Sequence, residues 1–313
     1  MTDVSVVVPT RNRADLLPLT VRSALGQRNV DLELVVVDDG SDDDTVRLVT
    51  HVDDPRVRLV RHERPCGVSA ARNSGIAAAR GRWVALLDDD DVWAPDKLPS
   101  QLAAAADAGA GWVYAGDVAV DEGLRILGGG PPPAPARVLA ELRRYNAVPG
   151  SASSVAVAAD VLARAGGFDP GLRRAEDWDM WLRLARHGTP AAVARPLVAI
   201  RQHLANVIVD RDSLIEEPAI LARRHRIPID PLAARRRAAW GLLRAGRRMA
   251  AAREYVGLAA RGDLRSLGRA VVALAHPAVG TYRMFSLAGM PQDPDWAQQA
   301  RAWLEPLAER RAP

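Results

Sequence analysis

The chain has 313 residues, 48% of them hydrophobic, a formal net charge of +4 and one cysteine. That is enough apolar material for one large core and a smaller module. A single Cys66 excludes an intramolecular disulfide and fits a reducing compartment, and with no run of eighteen apolar residues a transmembrane helix is not expected.

The N-terminus runs straight into Ser5-Val6-Val7-Val8 without a basic-then-apolar leader, so no signal peptide is expected. The location is read as cytoplasmic, with peripheral attachment at the inner face of the membrane as a variant. The first hundred residues alternate strand-like runs (4–8, 32–37, 57–61, 83–87) with stretches of helical apolar spacing (14–26, 42–51, 68–80). Ser41 followed by Asp44 reads as a helix-opening cap. Short apolar strands alternating with helices predict a parallel sheet covered on both faces, with ligands bound outside the carboxyl ends of the strands. The polar clusters fall at those ends: Pro9-Thr10-Arg11-Asn12-Arg13, Asp38-Asp39-Gly40-Ser41, and Asp88-Asp89-Asp90-Asp91.

Packing cannot explain four successive carboxylates after an apolar strand, because like charges repel and each is costly to desolvate. A hard, oxygen-liking cation removes both penalties and keeps open positions that phosphate oxygens fill. One reading of the run is therefore a metal-diphosphate site; the other is a solvated acidic loop capping the next helix. Three polar clusters on one sheet edge favour the first.

Farther along, 112–115 and 153–157 read as strands, 159–165 as a helix ended by Gly166-Gly167, 177–186 as a helix ended by Gly188, and 191–200 as a closing strand. Gly128 to Pro133 reads as a mobile loop, and the stretch 128–135 as one that orders over substrate. From Asp210 only helices are expected (231–245, 247–260, 263–275), which sets a boundary near 209. Charge divides there too. Residues 210–313 hold 18 arginines and 11 acidic residues, whereas residues 1–209 are net acidic. The basic half suggests an anionic membrane touching 231–275; a structural cap or homodimer contact with an arginine-rich solvated face is the competing reading. Nearly all basic residues are arginine, Lys97 being the one lysine, so compositional bias contributes.

Taken in order, Ser-Val-Val-Val-Pro-Thr-Arg-Asn-Arg (5–13), Val-Val-Asp-Asp-Gly-Ser (36–41), Gly-Val-Ser-Ala-Ala-Arg-Asn-Ser-Gly-Ile (67–76) and Leu-Asp-Asp-Asp-Asp (87–91) with Trp93, Pro95 and Lys97-Leu98 resemble a family 2 glycosyltransferase. Gly-Gly-Phe-Asp (166–169) and Glu-Asp-Trp-Asp-Met-Trp-Leu-Arg (176–183) resemble that family's acceptor half. The resemblance implies the α/β GT-A fold, a mixed, mainly parallel sheet flanked by helices. Residues 1–209 would form the transferase domain (1–116 nucleotide-binding, 117–209 acceptor) and 210–313 a helical module. It also implies a nucleotide-sugar donor, Mn²⁺ or Mg²⁺, and an inverting single displacement.

Carried over by residue, the resemblance puts Pro9, Thr10 and Arg11 beside the nucleotide, and Arg72 near it with Asn73 supporting the loop. Asp39, or Asp38 one position away, would accept a hydrogen bond from the base; the N3–H of uracil is such a donor, which favours a UDP-sugar. Asp90 is the expected metal ligand, with Asp88 or Asp89 on the ribose or the metal's waters. Asp177 matches the general base, and Glu176 would orient it or bind acceptor. His203 is read as reaching the metal or diphosphate, or else as a histidine closing a strand. Trp178 and Trp181 offer flat faces for an acceptor sugar or, at helical spacing, belong to the core.

Other nucleotide chemistries fit less well. The first turn lacks the glycines of a dinucleotide-binding fingerprint, and no P-loop occurs. A nucleotidyltransferase would need a glycine-rich opening and a lysine gripping a triphosphate. A non-catalytic nucleotide-sugar binder is the alternative from another class. No nucleic-acid partner is expected; carbohydrate, lipid-linked, peptide and small-molecule acceptors all stay open.

Overall fold

Every residue of β1 (Val4–Thr10) and β2 (Leu32–Asp38) is buried, the pattern of strands covered on both faces. The computed structural model describes residues 2–203, 211–244, 246–275 and 293–309. The chain divides into two compact units: 1–142, 146–201 and 291–313 in one, and 143–145 with 202–290 in the other.

The first unit is built on a mixed sheet ordered β3-β2-β1-β4-β8-β6-β9-β5, with β7 paired to β6. Here β3 is Val57–Arg61, β4 Trp83–Leu86, β5 Val92–Trp93, β6 Trp112–Val120, β7 Ile126–Gly129, β8 Val155–Ala158 and β9 Ala191–Arg201. The strands β3, β2, β1 and β4 run parallel, as the alternating pattern predicts. Beyond β4 the direction reverses: β8 is antiparallel to both β4 and β6, and β9 returns parallel to β6. The flanking helices are α1 (Leu17–Leu25), α2 (Thr45–Thr50), α3 (Val68–Ala78), α4 (Lys97–Ala108), α5 (Pro135–Leu142), α6 (Ala159–Ala165) and α7 (Glu176–Leu184).

Three local expectations are corrected. Ser41 does not cap α2; its hydroxyl accepts from the Asn12 backbone N–H at 2.9 Å and so ties the loop after β1 to the loop after β2. The stretch from Gly128 is not simply a loop: Gly128 and Gly129 complete β7 against Ala119 and Val118, and the Tyr114 hydroxyl donates to the Pro133 carbonyl at 2.5 Å. The helix Pro294–Glu309 belongs with the sheet unit, although sequence reading placed it in the helical module. Its Trp296, Ala300 and Leu304 pack with Leu19, Val118 and Ala199, and the Trp296 indole donates to the Asp117 carbonyl at 3.0 Å. Gly116 makes this approach feasible, since a Cβ there would lie 2.4 Å from the Trp296 ring.

The second unit contains α8 (Arg211–His225), α9 (Pro231–Arg244), α10 (Arg248–Ala259) and α11 (Arg265–Ala275). Its core gathers Leu242, Leu243, Ala251, Tyr255, Leu258, Ala270 and Ala273. Among the described residues no helix is long and apolar enough to cross a membrane.

Candidate active site

A cavity of about 510 Å³ opens at the carboxyl ends of β1, β2 and β4, where a parallel sheet places its ligands. Ten of the candidate residues line it: Pro9, Thr10 and Arg11 after β1, Asp39 after β2, Arg72 from α3, Asp88, Asp89 and Asp90 after β4, and Glu176 and Asp177 at the start of α7. Asp38, His203, Trp178 and Trp181 do not.

Asp39 and Asp38 resolve into different roles. The Asp38 side chain is fully buried and accepts from the Ser41 backbone N–H, which shapes the turn at Gly40. Asp39 Oδ1 accepts from His62 Nδ1 at 2.7 Å and the Cys66 N–H at 2.8 Å, and Oδ2 from the Gly67 N–H at 2.8 Å. A carboxylate has about four acceptor positions, so one remains, on Oδ2. Burial works to raise its pKa, but these donors outweigh it and hold Asp39 below the ordinary carboxylate range. The fold brings Asp39 to His62 and Cys66; one ligand atom from each of the three lies within 4.8 Å of the others. Both His62 nitrogens are engaged, Nε2 with the Ser74 hydroxyl at 2.9 Å, so this cluster is a hydrogen-bond network.

The acidic run is not four equivalent carboxylates. Asp91 turns inward. It is buried, accepts from the Ser153 hydroxyl at 2.5 Å and from the Arg201 backbone N–H at 3.2 Å, and burial with repulsion from Asp90 and Asp88 pushes its pKa well up. The Ser153 hydroxyl in turn accepts from the Asp88 N–H at 3.0 Å. The Thr20 hydroxyl contacts the carbonyls of Asp89 and Asp91 at 2.8 and 2.9 Å, and the buried Arg201 guanidinium donates to the Asp90 carbonyl. With its backbone fastened this way, the run directs Asp88, Asp89 and Asp90 into the cavity. Burial, then repulsion from Asp90, pushes the Asp89 carboxyl up to about 7 against the pull of Arg13 at 3.8 Å. Three clustered carboxylates offering only oxygen fit a hard divalent cation, and such a charge relieves the repulsion.

Arg72 joins the two halves of the cavity. Gly75, where a Cβ would fall 2.4 Å from Val7, lets α3 lie close on the sheet one turn beyond Arg72. The buried guanidinium donates to Asp88 Oδ1 at 2.7 Å and to Glu176 Oε1 at 2.9 Å, and stacks over Phe168. Burial opposes its charge, but the two carboxylates overcome this and raise its pKa. Asn73 exchanges hydrogen bonds with the Phe168 backbone at 2.8 and 2.7 Å.

At the start of α7, burial and repulsion from Asp177 push Glu176 up to about 7. Burial also raises Asp177, while Arg72, the Trp178 N–H and the Asn146 amide pull the other way. Trp178 and Trp181 are core. The Trp178 indole donates to the Leu142 carbonyl at 2.7 Å, and Trp181 stacks on Trp112 with centroids 6.3 Å apart. His203 is buried two residues past β9 and falls in the second unit. Sequence reading missed Asn146, Ser153, Thr20, Arg201 and the lining pair Arg173 and Arg174. Of these only the arginines, directly before the α7 motif, carry a signal a sequence could offer.

Residues 5–134 match the model of Glycosyl transferase family 2. The chain is 50% identical over 108 residues to the succinoglycan biosynthesis protein ExoO of Rhizobium meliloti, covering 34% of this chain and 31% of that protein. It is 34% identical over 99 residues to UDP-Glc:alpha-D-GlcNAc-diphosphoundecaprenol beta-1,3-glucosyltransferase WfaP of Escherichia coli, covering 32% and 39%. The matched stretch thus spans about a third of these curated relatives. Among solved structures, S. aureus TarS 1-349 in complex with UDP-GlcNAc aligns with TM-score 0.60 at 16% identity, over 97% of this chain and 92% of that one. The mannosyltransferase PcManGT of Pyrobaculum calidifontis, in complex with GDP-Man and Mn²⁺, aligns with TM-score 0.55 at 23% identity, over 96% and 86%. The fold is GT-A.

Proposed function

We infer, for a chain whose residues 5–134 match the model of Glycosyl transferase family 2, that it transfers a sugar from a nucleotide-diphosphate donor to an acceptor hydroxyl with inversion. The observation that carries this reading is one cavity holding both a fastened acidic run and, across Arg72, the carboxylate pair of α7. Pro9, Thr10, Arg11 and Asp39 hold the nucleoside end. UDP is favoured, because the one acceptor position left on Asp39 suits an N–H donor of the base and WfaP is named for UDP-Glc. Asp90, with Asp88 and Asp89 beside it, would hold Mn²⁺ or Mg²⁺, which when bound stabilises charge developing on the departing diphosphate.

Asp177 is the base of this reading. A hydroxyl is a weak nucleophile near neutral pH, and a carboxylate within hydrogen-bond reach takes its proton as the glycosidic bond forms. Attack from the face opposite the leaving group inverts the anomeric carbon in one step, with no covalent intermediate. Glu176, held by Arg72, orients this end of the cavity. A saccharide acceptor suits the relatives, one named for succinoglycan and another for a diphosphoundecaprenol-linked acceptor. A lipid-linked acceptor gives the expected membrane contact of 231–275 a purpose.

The test is to incubate the protein with UDP-Glc, UDP-GlcNAc or GDP-Man and Mn²⁺, and to measure release of nucleoside diphosphate. Slow release with at least one UDP-sugar, lost on chelation, is expected. Donor binding by calorimetry without release for any donor and acceptor tried would leave a nucleotide-sugar binder instead.

A further inference from the structure

Helix α11 is amphipathic the wrong way round for core packing. The face it buries carries Ser266, Ala270 and Ala273, all small. Its large apolar side chains point outward: Leu267 is 49% exposed, Val271 64%, Val272 51% and Leu274 49%, and Leu264 in the turn just before the helix is 70% exposed. At spacings of three and four residues Leu264, Leu267, Val271 and Leu274 form one stripe, with Val272 beside it. All seven exposed large hydrophobic residues among those described lie between Met249 and Leu274, on α10, on α11 and at the turn before it. A continuous outward stripe of this kind marks an interaction face, whereas scattered single residues need no explanation.

The flank of the stripe names the partner. On the side of Val272 the helix surface continues into exposed Arg265 and Arg269, the latter 3.5 Å from Asp263, and residues 246–275 hold six arginines against two acids. An apolar stripe bordered by arginine matches an anionic bilayer, whose acyl region takes the leucines while its headgroups meet the guanidinium groups. A second copy of this chain fits less well in an antiparallel two-fold contact, which would bring the arginine-bearing sides of both copies together. We propose that Leu264, Leu267, Val271 and Leu274 form a docking face for an anionic membrane surface. This gives a specific seat to the membrane contact considered above and is independent of the chemistry of sugar transfer.

The experiment is flotation of the full chain with phosphatidylcholine vesicles, with and without phosphatidylglycerol, at low and high salt. The chain should float with the phosphatidylglycerol vesicles at low salt and lose most of that binding at high salt. Leu267→Glu/Val271→Glu should lower bound protein by about tenfold, and Arg265→Glu by a smaller factor. These side chains are exposed, so the helical circular dichroism should stay unchanged. Equal flotation on phosphatidylcholine alone, no flotation at low salt, or flotation insensitive to the double variant would each overturn the proposal. So would a dimer in sedimentation velocity that the double variant abolishes without any vesicle binding; that result assigns the face to a second copy. Nucleotide release from UDP-sugars, measured in parallel, reads the catalytic assignment separately.

Discussion

The Asn146 amide donates to Asp177 Oδ2 at 2.8 Å, while the Trp178 backbone N–H donates to Oδ1 at 2.6 Å. Both bonds favour the ionised carboxylate in a place where burial disfavours it. Turnover that needs the ionised base should therefore fall as pH drops through a pKa above the usual aspartate range. Removing the amide withdraws a donor from the charged form, so Asn146→Ala should move the acid limb of the kcat profile to higher pH. A hydrogen bond to a charged group contributes roughly 1.5–3 kcal/mol, so the limb should move by about one to two pH units. A limb that stays in place would mean that Asn146 does not tune the base.

Asp177→Asn keeps the shape of the side chain and removes its basicity. Donor affinity, read by calorimetry with UDP and Mn²⁺, should stay near that of the unaltered protein. Turnover should drop by about 10²–10⁴. Near-normal turnover would refute the base assignment.

Asp90→Ala should weaken the Mn²⁺ dependence of UDP binding while leaving the fold intact, because its backbone carbonyl still accepts from Arg201. The measurement is a UDP titration at rising Mn²⁺. A variant with unchanged metal dependence would move the ligand role to Asp88 or Asp89.

Arg72→Met should destabilise the protein severely, since it strands Asp88 and the buried Glu176 without their shared cation. Breaking such a buried pair costs about 3–5 kcal/mol. Arg72→Lys should recover only part of this, because an ammonium cannot present two separately aimed donors as a guanidinium does. Urea midpoints of the three proteins give the comparison.

Gly116→Ala places a Cβ 2.4 Å from Trp296 and 2.9 Å from the Arg195 carbonyl. The helix Pro294–Glu309 must shift, at a cost of about 1–3 kcal/mol. The thermal midpoint should fall and the tryptophan fluorescence should change. UDP binding should remain, since none of these residues lines the cavity.

How much the chain announced depended on how local each cause was. β1 to β4 and α1 to α3 follow from apolar periodicity within single segments, so their positions were legible. The acidic run and Asp39 were legible too, because each is charged at the end of an apolar strand, whereas Arg72 inside α3 and the Glu176-Asp177 pair opening α7 were singled out only through the family resemblance. β5 and β7 were not. Val92–Trp93 is a strand only because β9 runs beside it, and the glycines of β7 read as a break until β6 supplies a partner. Asn146 sits in an irregular stretch, and only the fold brings it to Asp177. The outward stripe of α11 has the same periodicity as an inward one; which face a helix buries depends on its neighbours.

Thr20 and Ser153 belong to distant parts of the chain, yet they decide how ready the acidic loop is before any ligand arrives. Its like charges are brought together during folding, so the cation and diphosphate of the proposed function would find a preorganised seat and spend little of their binding energy shaping it. Loosening this scaffold with Thr20→Val, which takes from the buried Arg201 guanidinium one of its acceptors, should therefore both lower the melting temperature and weaken ligand capture, the latter also when measured well below that temperature.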